Sequence, residues 1–302
     1  MGPRRGRGGA AVSRVVAFEV LREVTGQDAY ANLALAKKLA TAGLSTRDAA
    51  FVTELVSGTC RLMGSYDIVI EAAAGRKLST LQPAVVDVLR LGAHQILSMR
   101  IPPHAAVGAT VELAKRRIGQ RVGGLVNAIL RKVARRSLDE WLDDAAAGKG
   151  DVEAAAVRGH HPAWIAEAFA DVLPADELPA ALAANNEPPK PTLVVRPGLA
   201  TVDELDGEPT KYSPFGAVRE GVPGMVDAVR EGRAGVQDEG SQLVALALTR
   251  AEAQDGPWLD LCAGPGGKAA LLAGLAREQG TWLLAGESQE HRAGLVRGSL
   301  RA

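Results

Sequence analysis

The stretch Asp260-Leu-Cys-Ala-Gly-Pro-Gly-Gly-Lys268 constrains this chain more than any other. An apolar run (Trp258, Leu259, Leu261) breaks into a glycine-rich turn and passes directly into the helix formers Ala269–Ala276. That order predicts strand, tight turn, helix, the geometry in which backbone N–H groups at a helix N-terminus face a ligand. A second apolar run, Thr281–Ala285, leads into Gly286 and then Glu287, twenty residues after Gly267. An acidic side chain at the tip of the second strand is where the ribose hydroxyls of a nucleotide-type ligand are accepted. The two features together predict the first half of a Rossmann-like cofactor site.

The glycines narrow the ligand. The dinucleotide pattern G-x-G-x-x-G is missing, which disfavours a nicotinamide dehydrogenase. Lys268 is followed by Ala269 rather than Ser or Thr, so the turn is not a P-loop. An ordinary βα turn, with glycines that serve backbone geometry alone, stays open at this point.

Composition sets the frame. The 302 residues call for two or three domains, and 47% hydrophobic with 23% charged residues suits globular ones. No apolar run reaches the length of a membrane span, and the basic start Met1–Gly9 lacks the apolar segment of a signal peptide. Two distant cysteines, Cys60 and Cys262, make neither a disulfide framework nor a metal spacing, so a reducing cytoplasm is expected. The pair His160-His161 has no partner at ligand spacing and reads as a helix-entry turn, and no metal is expected.

The net charge of zero hides a split. Residues 1–136 hold 21 Lys and Arg against 9 Asp and Glu, whereas residues 137–302 hold 14 against 26. A basic half of that size calls for a polyanion, and RNA is the expected partner. Its densest part is Lys115, Arg116, Arg117 and Arg121, then Arg131, Lys132, Arg135 and Arg136. Apolar stripes (Val111, Ala114, Ile118; Leu125, Ile129, Val133) turn these cations outward, and no carboxylate lies between Lys115 and Arg136 in sequence. A solvated face is the plain alternative, and phosphate contact the favoured reading.

Local patterns predict helices through the first half. Ser13 is expected to cap one with Val16, Val20 and Val24, and Ser45 with Asp48 another. More helices are expected over about 83–99, 103–118 and 122–135, broken at Pro102-Pro103 and Gly119. Asp143–Asp151 reads as a linker, and Thr192–Val195 as the first clear strand.

Three segments resemble the RNA cytosine-C5 methyltransferases: Asp260–Lys268, Val236–Leu243 (VQDEGSQL), and Glu287 with His291-Arg292. That family usually carries alanine where this chain has Gly264, and again where it has Gly240. Asp48–Thr59 and Leu125–Arg131 resemble the NusB-like domain, an all-helical RNA-binding module. The resemblance implies a basic flexible tail at 1–10, a NusB-like helical bundle at 11–142, a connecting α+β subdomain at 152–235, and at 236–302 the start of an α/β Rossmann-like methyltransferase domain. S-adenosylmethionine is then the implied cofactor and ribosomal RNA the implied substrate. Cys262, Ala263, Gly264, Pro265, Gly266, Gly267 and Lys268 are expected to wrap the donor by backbone contacts, with Glu287 accepting from its ribose. Lys268 and Arg292 are placed near the donor or RNA phosphates.

The family's chemistry needs a cysteine thiolate that adds to C6 of cytosine, making C5 nucleophilic. Neither Pro-Cys nor Thr-Cys, the family's contexts for its two cysteines, occurs after the glycine-rich turn, and the one Thr-Cys of the chain, Thr59-Cys60, lies in the basic helical half. The nucleophile is therefore expected beyond Ala302, and the chain as given is expected to bind RNA, to bind the donor weakly and not to transfer methyl groups. The alternative is a non-catalytic NusB-like RNA-binding or antitermination module.

Overall fold

The computed structural model describes residues 6–187, 190–251 and 256–301. The chain divides into two compact units, Met1–Glu187 and Pro188–Ala302. This division falls inside the segment 152–235 expected to act as one connector, because the helices after residue 150 pack with those before it.

The first unit is all helix: α1 Gly6–Gln27, α2 Ala31–Thr41, α3 Thr46–Arg61, α4 Met63–Ala74, α5 Pro83–Leu97, α6 Pro103–Arg117 and α7 Gly123–Val133. Ser45 caps α3 by accepting from the Asp48 N–H. Prolines at the first turn start α5 and α6, where a missing N–H costs no helical bond. Ser13 does not cap a helix. It lies fully buried in α1, on the face shared with Val16, Ala17 and Val20, because α1 begins at Gly6. Of the expected basic tail, residues 1–5 lie outside the described residues.

The aliphatic core surrounds a polar network. Asp87 of α5 is 1% exposed and takes Arg22 (2.5 Å), Thr25 Oγ1 (2.7 Å) and Arg90 (3.0 Å). Arg90 also makes a two-pronged contact with Asp67, each bond 2.7 Å. Buried charges persist only when paired and hydrogen-bonded in this way.

The stretch 143–151 is not a linker. A Ser137–Glu140 capping box starts α8 (Leu138–Ala146), Leu142 and Ala146 bury one face, and α9 (Asp151–Arg158) follows a turn at Gly148. Two short helices, α10 Ala163–Ala170 and α11 Leu178–Asn186, complete the unit by packing Ala166, Leu178 and Leu182 against Ala156 of α9. His160 Nδ1 lies 2.9 Å from Ser65 Oγ, and His161 Nδ1 2.5 Å from the Gly159 carbonyl, in the turn before α10.

In the second unit, β1 (Thr192–Val195), β2 (Glu208–Pro209), β3 (Gly216–Val218) and β4 (Ala234–Val236) form an antiparallel sheet in the order β2-β3-β1-β4, with α12 (Asp227–Arg230) before β4. Next come α13 Glu239–Thr249, β5 Trp258–Asp260, α14 Gly267–Glu278, β6 Leu283–Ala285 and α15 Glu290–Ser299. β5 and β6 pair in parallel, Trp258 opposite Leu283 and Asp260 opposite Ala285, with α14 as the crossover. Val194, Ala245, Leu246, Leu271 and Leu275 make the core beneath them, joined by Trp258 and Leu283. The alternate strand residues Leu259 and Leu284 face away and stay exposed.

Among the described residues, no helix is long and apolar enough to cross a membrane. Nor is any group of three or more His, Cys, Asp or Glu placed to hold a metal ion.

Candidate functional site

The loop after β5 is tied to the loop after β6. The Gly286 N–H donates to the Asp260 carbonyl (2.7 Å) and the Ala263 N–H to the Gly286 carbonyl (2.9 Å). Asp260 Oδ1 accepts from the Cys262 N–H at 3.1 Å, which turns the chain out of the strand. Ala263 is buried, while Cys262, Pro265, Gly267 and Lys268 are exposed. Gly266 has φ +115°, and a side chain there would meet Ser299 at 2.8 Å and the Val296 backbone at 3.1 Å, so only glycine fits.

The first turn of α14 carries no acidic residue and no side-chain cap. The first helical bond from this end runs from the Ala270 N–H to the Gly266 carbonyl. The N–H groups before it are left to an external acceptor, and the helix dipole favours an anionic one.

Glu287 leaves β6 and folds back over the loop. One carboxylate oxygen accepts from the Gln289 N–H at 2.9 Å, and the other lies 3.4 Å from Arg292 Nε. The Gln289 N–H, with the Arg292 charge, holds this carboxyl below the usual range, so it is an ionised acceptor at neutral pH. Arg292 also donates to the Gly264 carbonyl at 2.6 Å. A Cβ at position 264 would overlap the Glu287 carboxylate, which accounts for glycine there. The structure thus brings Gly264, Glu287 and Arg292 together, while Lys268 stands exposed one residue into α14.

The segment before α13 divides its polar side chains between two duties. Asp238 caps α13 by accepting from the Gly240 and Ser241 N–H groups, each at 3.0 Å. Glu239 accepts from the Tyr212 (2.5 Å) and Ser213 (2.9 Å) N–H groups, which depress its pKa. Buried Gln242 contacts Ser213 Oγ at 2.6 Å and donates to the Gln237 carbonyl at 2.9 Å. Gln237 differs. It is 7% exposed, its amide carbon lies 3.9 Å from the Cβ position of Gly267, and neither Nε2 nor Oε1 has a hydrogen-bond partner among the described residues. A buried polar group left so costs about 1–3 kcal/mol. Sequence reasoning marked the segment but not this residue, whose distinction is its burial.

The basic face lies on α6, α7 and the turns at their ends. Arg116, Arg117, Arg121, Arg131, Lys132 and Arg135 are exposed, while Lys115 and Arg136 are half-buried. Three of these cations find carboxylates outside the stretch Lys115–Arg136, one a turn earlier on the same helix and two brought in by other helices. Lys115 pairs with Glu112 (3.1 Å), Arg117 with Glu19 of α1 (2.5 Å) and Arg136 with Asp144 of α8 (2.6 Å). Lys132 donates to the Ala73 carbonyl at 3.0 Å, and Arg131 to Asn127 Oδ1 at 3.2 Å. Among the described residues no ion pair engages Arg116, Arg121, Arg131 or Arg135.

Comparison with known proteins gives two segments. Residues 11–135 match the NusB family, and residues 245–302 match the 16S rRNA methyltransferase RsmB/F family. The glycine loop and Glu287 fall in the second match, and the basic face up to Arg135 in the first. The MT1451 protein of Mycobacterium tuberculosis (strain CDC 1551 / Oshkosh), which bears a provisional methyltransferase name, is 48% identical over 94% of this chain and 65% of its own length. The ribosomal RNA small subunit methyltransferase B of Escherichia coli O6:K15:H31 is 32% identical over 85% of this chain and 60% of its own. The chain thus spans about three fifths to two thirds of the length of these relatives. The crystal structure of PH0851 shares the fold, with a TM-score of 0.70 at 18% identity, covering 99% of this chain and 68% of that one.

Proposed function

We propose that this chain, with its NusB-family match at 11–135 ahead of its 16S rRNA methyltransferase RsmB/F match at 245–302, is part of an S-adenosylmethionine-dependent methyltransferase acting at C5 of cytosine in ribosomal RNA. Residues 236–302 are, in this reading, the opening of a Rossmann-like domain, and 11–142 a NusB-like RNA-binding domain. The observation that carries it is the uncapped glycine-loop start of α14 between two parallel strands, with the ionised Glu287 turned onto that loop.

The residues present fit such a donor. The open N–H groups at the start of α14 suit its carboxylate, and the Glu287 carboxylate suits paired ribose hydroxyls. The orphaned Gln237 amide lines the same glycine turn. When bound, S-adenosylmethionine supplies an electrophilic methyl group. The chain's own residues orient it: Gly266 allows the backbone to turn closely into α14, and Arg292 holds Glu287 over the loop. The cations at Arg116, Arg121, Arg131 and Arg135 hold RNA phosphates, while Lys115, Arg117, Lys132 and Arg136, on the same face, contribute less because they keep their present partners.

The nucleophile's role is assigned to neither cysteine. Cys60 is half-buried in α3, and burial pushes its thiol up, against thiolate formation. Cys262 sits in the donor loop itself. A cytoplasmic location is part of the same proposal, since work on ribosomal RNA would call for it.

Isothermal titration of S-adenosylmethionine, with NADH as comparator, tests the reading. We expect saturable binding of the first and none of the second. Glu287→Ala should weaken it about tenfold or more, the loss of hydrogen bonds to a charged acceptor. Binding of NADH in place of S-adenosylmethionine would overturn it.

A further inference from the structure

The segment Gln237–Gln242 leaves one polar side chain without a structural task. Asp238, Glu239 and Gln242 each cap, clamp or bridge, as described above. The Gln237 backbone is held on both sides: its N–H donates to the Thr192 carbonyl at 3.0 Å, and its carbonyl accepts from Gln242 Nε2. The carboxamide is therefore aimed, at 7% exposure, against Gly267 at the start of the twelve-residue helix α14. If packing were its purpose, an apolar side chain of the same size would serve better, because burying an amide without partners is unfavourable.

We propose that Gln237 reads the amino-acid end of the methyl donor, Oε1 accepting from its α-ammonium and Nε2 donating to its α-carboxylate, which the open N–H groups of α14 share. This assignment rests on the donor-binding reading given above. Two features select a zwitterion over a plain anion. The helix start offers donors alone and so calls for negative charge. The carboxamide offers a donor and an acceptor side by side, which a carboxylate with a neighbouring ammonium satisfies together and a lone phosphate does not.

The test compares two stable thioethers by isothermal titration: S-adenosylhomocysteine, which has the amino-acid end, and 5′-methylthioadenosine, which keeps the nucleoside and lacks it. In Gln237→Leu we expect affinity for S-adenosylhomocysteine to fall about tenfold and that for methylthioadenosine to hold within about twofold, as one lost pair of hydrogen bonds predicts. The melting temperature of the ligand-free variant should rise, since its orphaned amide is gone. Gln237→Glu, which keeps the acceptor and repels the carboxylate, should reproduce the selective loss and decides the matter if the leucine variant misfolds. Unchanged affinity for S-adenosylhomocysteine, or an equal loss for both ligands, overturns the assignment. So does a variant that weakens RNA binding alone. If the wild-type chain binds neither thioether, the donor-binding reading itself falls, and this assignment falls with it.

Discussion

The basic face makes a quantitative prediction about salt. Each phosphate neutralised on a single-stranded RNA contributes about −0.7 to the slope of log K against log salt. Of the eight cations on this face, Arg116, Arg121, Arg131 and Arg135 have no ion pair among the described residues. The perturbation is Arg116→Gln with Arg121→Gln and Arg135→Gln, three exposed positions where substitution should change stability by no more than about 0.5 kcal/mol. The slope should become shallower by roughly 2, so that between 50 and 200 mM salt the wild type loses on the order of twentyfold more affinity than the variant. Arg117→Gln with Arg136→Gln removes two cations already held by Glu19 and Asp144, and should move the slope by well below about 0.7 per residue. Fluorescence anisotropy of a labelled single-stranded RNA across a potassium chloride series reads both. A triple variant with the wild-type slope, or a paired-site variant that flattens it as much per residue, would refute the reasoning.

Three further outcomes follow from the packing. Asp87→Ala should cost about 3–5 kcal/mol in urea unfolding, because it strips Arg22 and Arg90 of a partner that is 1% exposed; a loss below about 1 kcal/mol would contradict it. Gly274→Ala, in the middle of α14, should destabilise by about 1–3 kcal/mol despite alanine's better helix propensity, since its Cβ would lie 2.6 Å from Pro197 Cδ and 2.9 Å from the Pro197 nitrogen. A higher melting temperature would show that Pro197 yields. Burial holds His94 below the ordinary imidazole range, with Glu54 opposing, so the unfolded chain takes up the proton first. Stability should therefore fall as pH drops below about 6.5, and His94→Gln should flatten that fall, with the similarly lowered His160 leaving a smaller slope.

What could be read from sequence depended on how local its cause was. Prolines at the first turns of α5 and α6, the Ser45 cap and the strand–turn–helix at Asp260–Lys268 act within a few residues, and the structure has each where its pattern predicts. Ser13 failed as a cap because a small hydroxyl residue also fits a buried helix face, and nothing local separates the two. The stretch 143–151 misled through its alanine and glycine content, although the capping box at Ser137 was present in the chain. The cations misled differently. Glu19 lies ninety-eight positions from Arg117, so their pairing belongs to the packing of α1 on α6 and cannot be seen along the chain. Gly264 is legible only once Glu287 is seen folded over it.

Gln237 shows how far the donor loop depends on the antiparallel sheet. Val236 pairs with Leu193 across β4 and β1, and the next N–H, that of Gln237, continues the ladder onto Thr192. The register of β4 thus decides which face the Gln237 side chain takes, and a slip of one residue would turn it away from Gly267. The four-stranded sheet is then a positioning device for the glycine loop as well as a connection. A ligand that satisfies the amide should stabilise this unit by mass action, in proportion to the logarithm of its concentration over Kd. Removing the Thr192–Gln237 bond, whose donor and acceptor are both backbone, requires a register change rather than a side-chain substitution. Residues 190–237 should therefore tolerate exposed substitutions, yet lose donor affinity on any single-residue insertion between Leu193 and Gln237 that shifts the pairing.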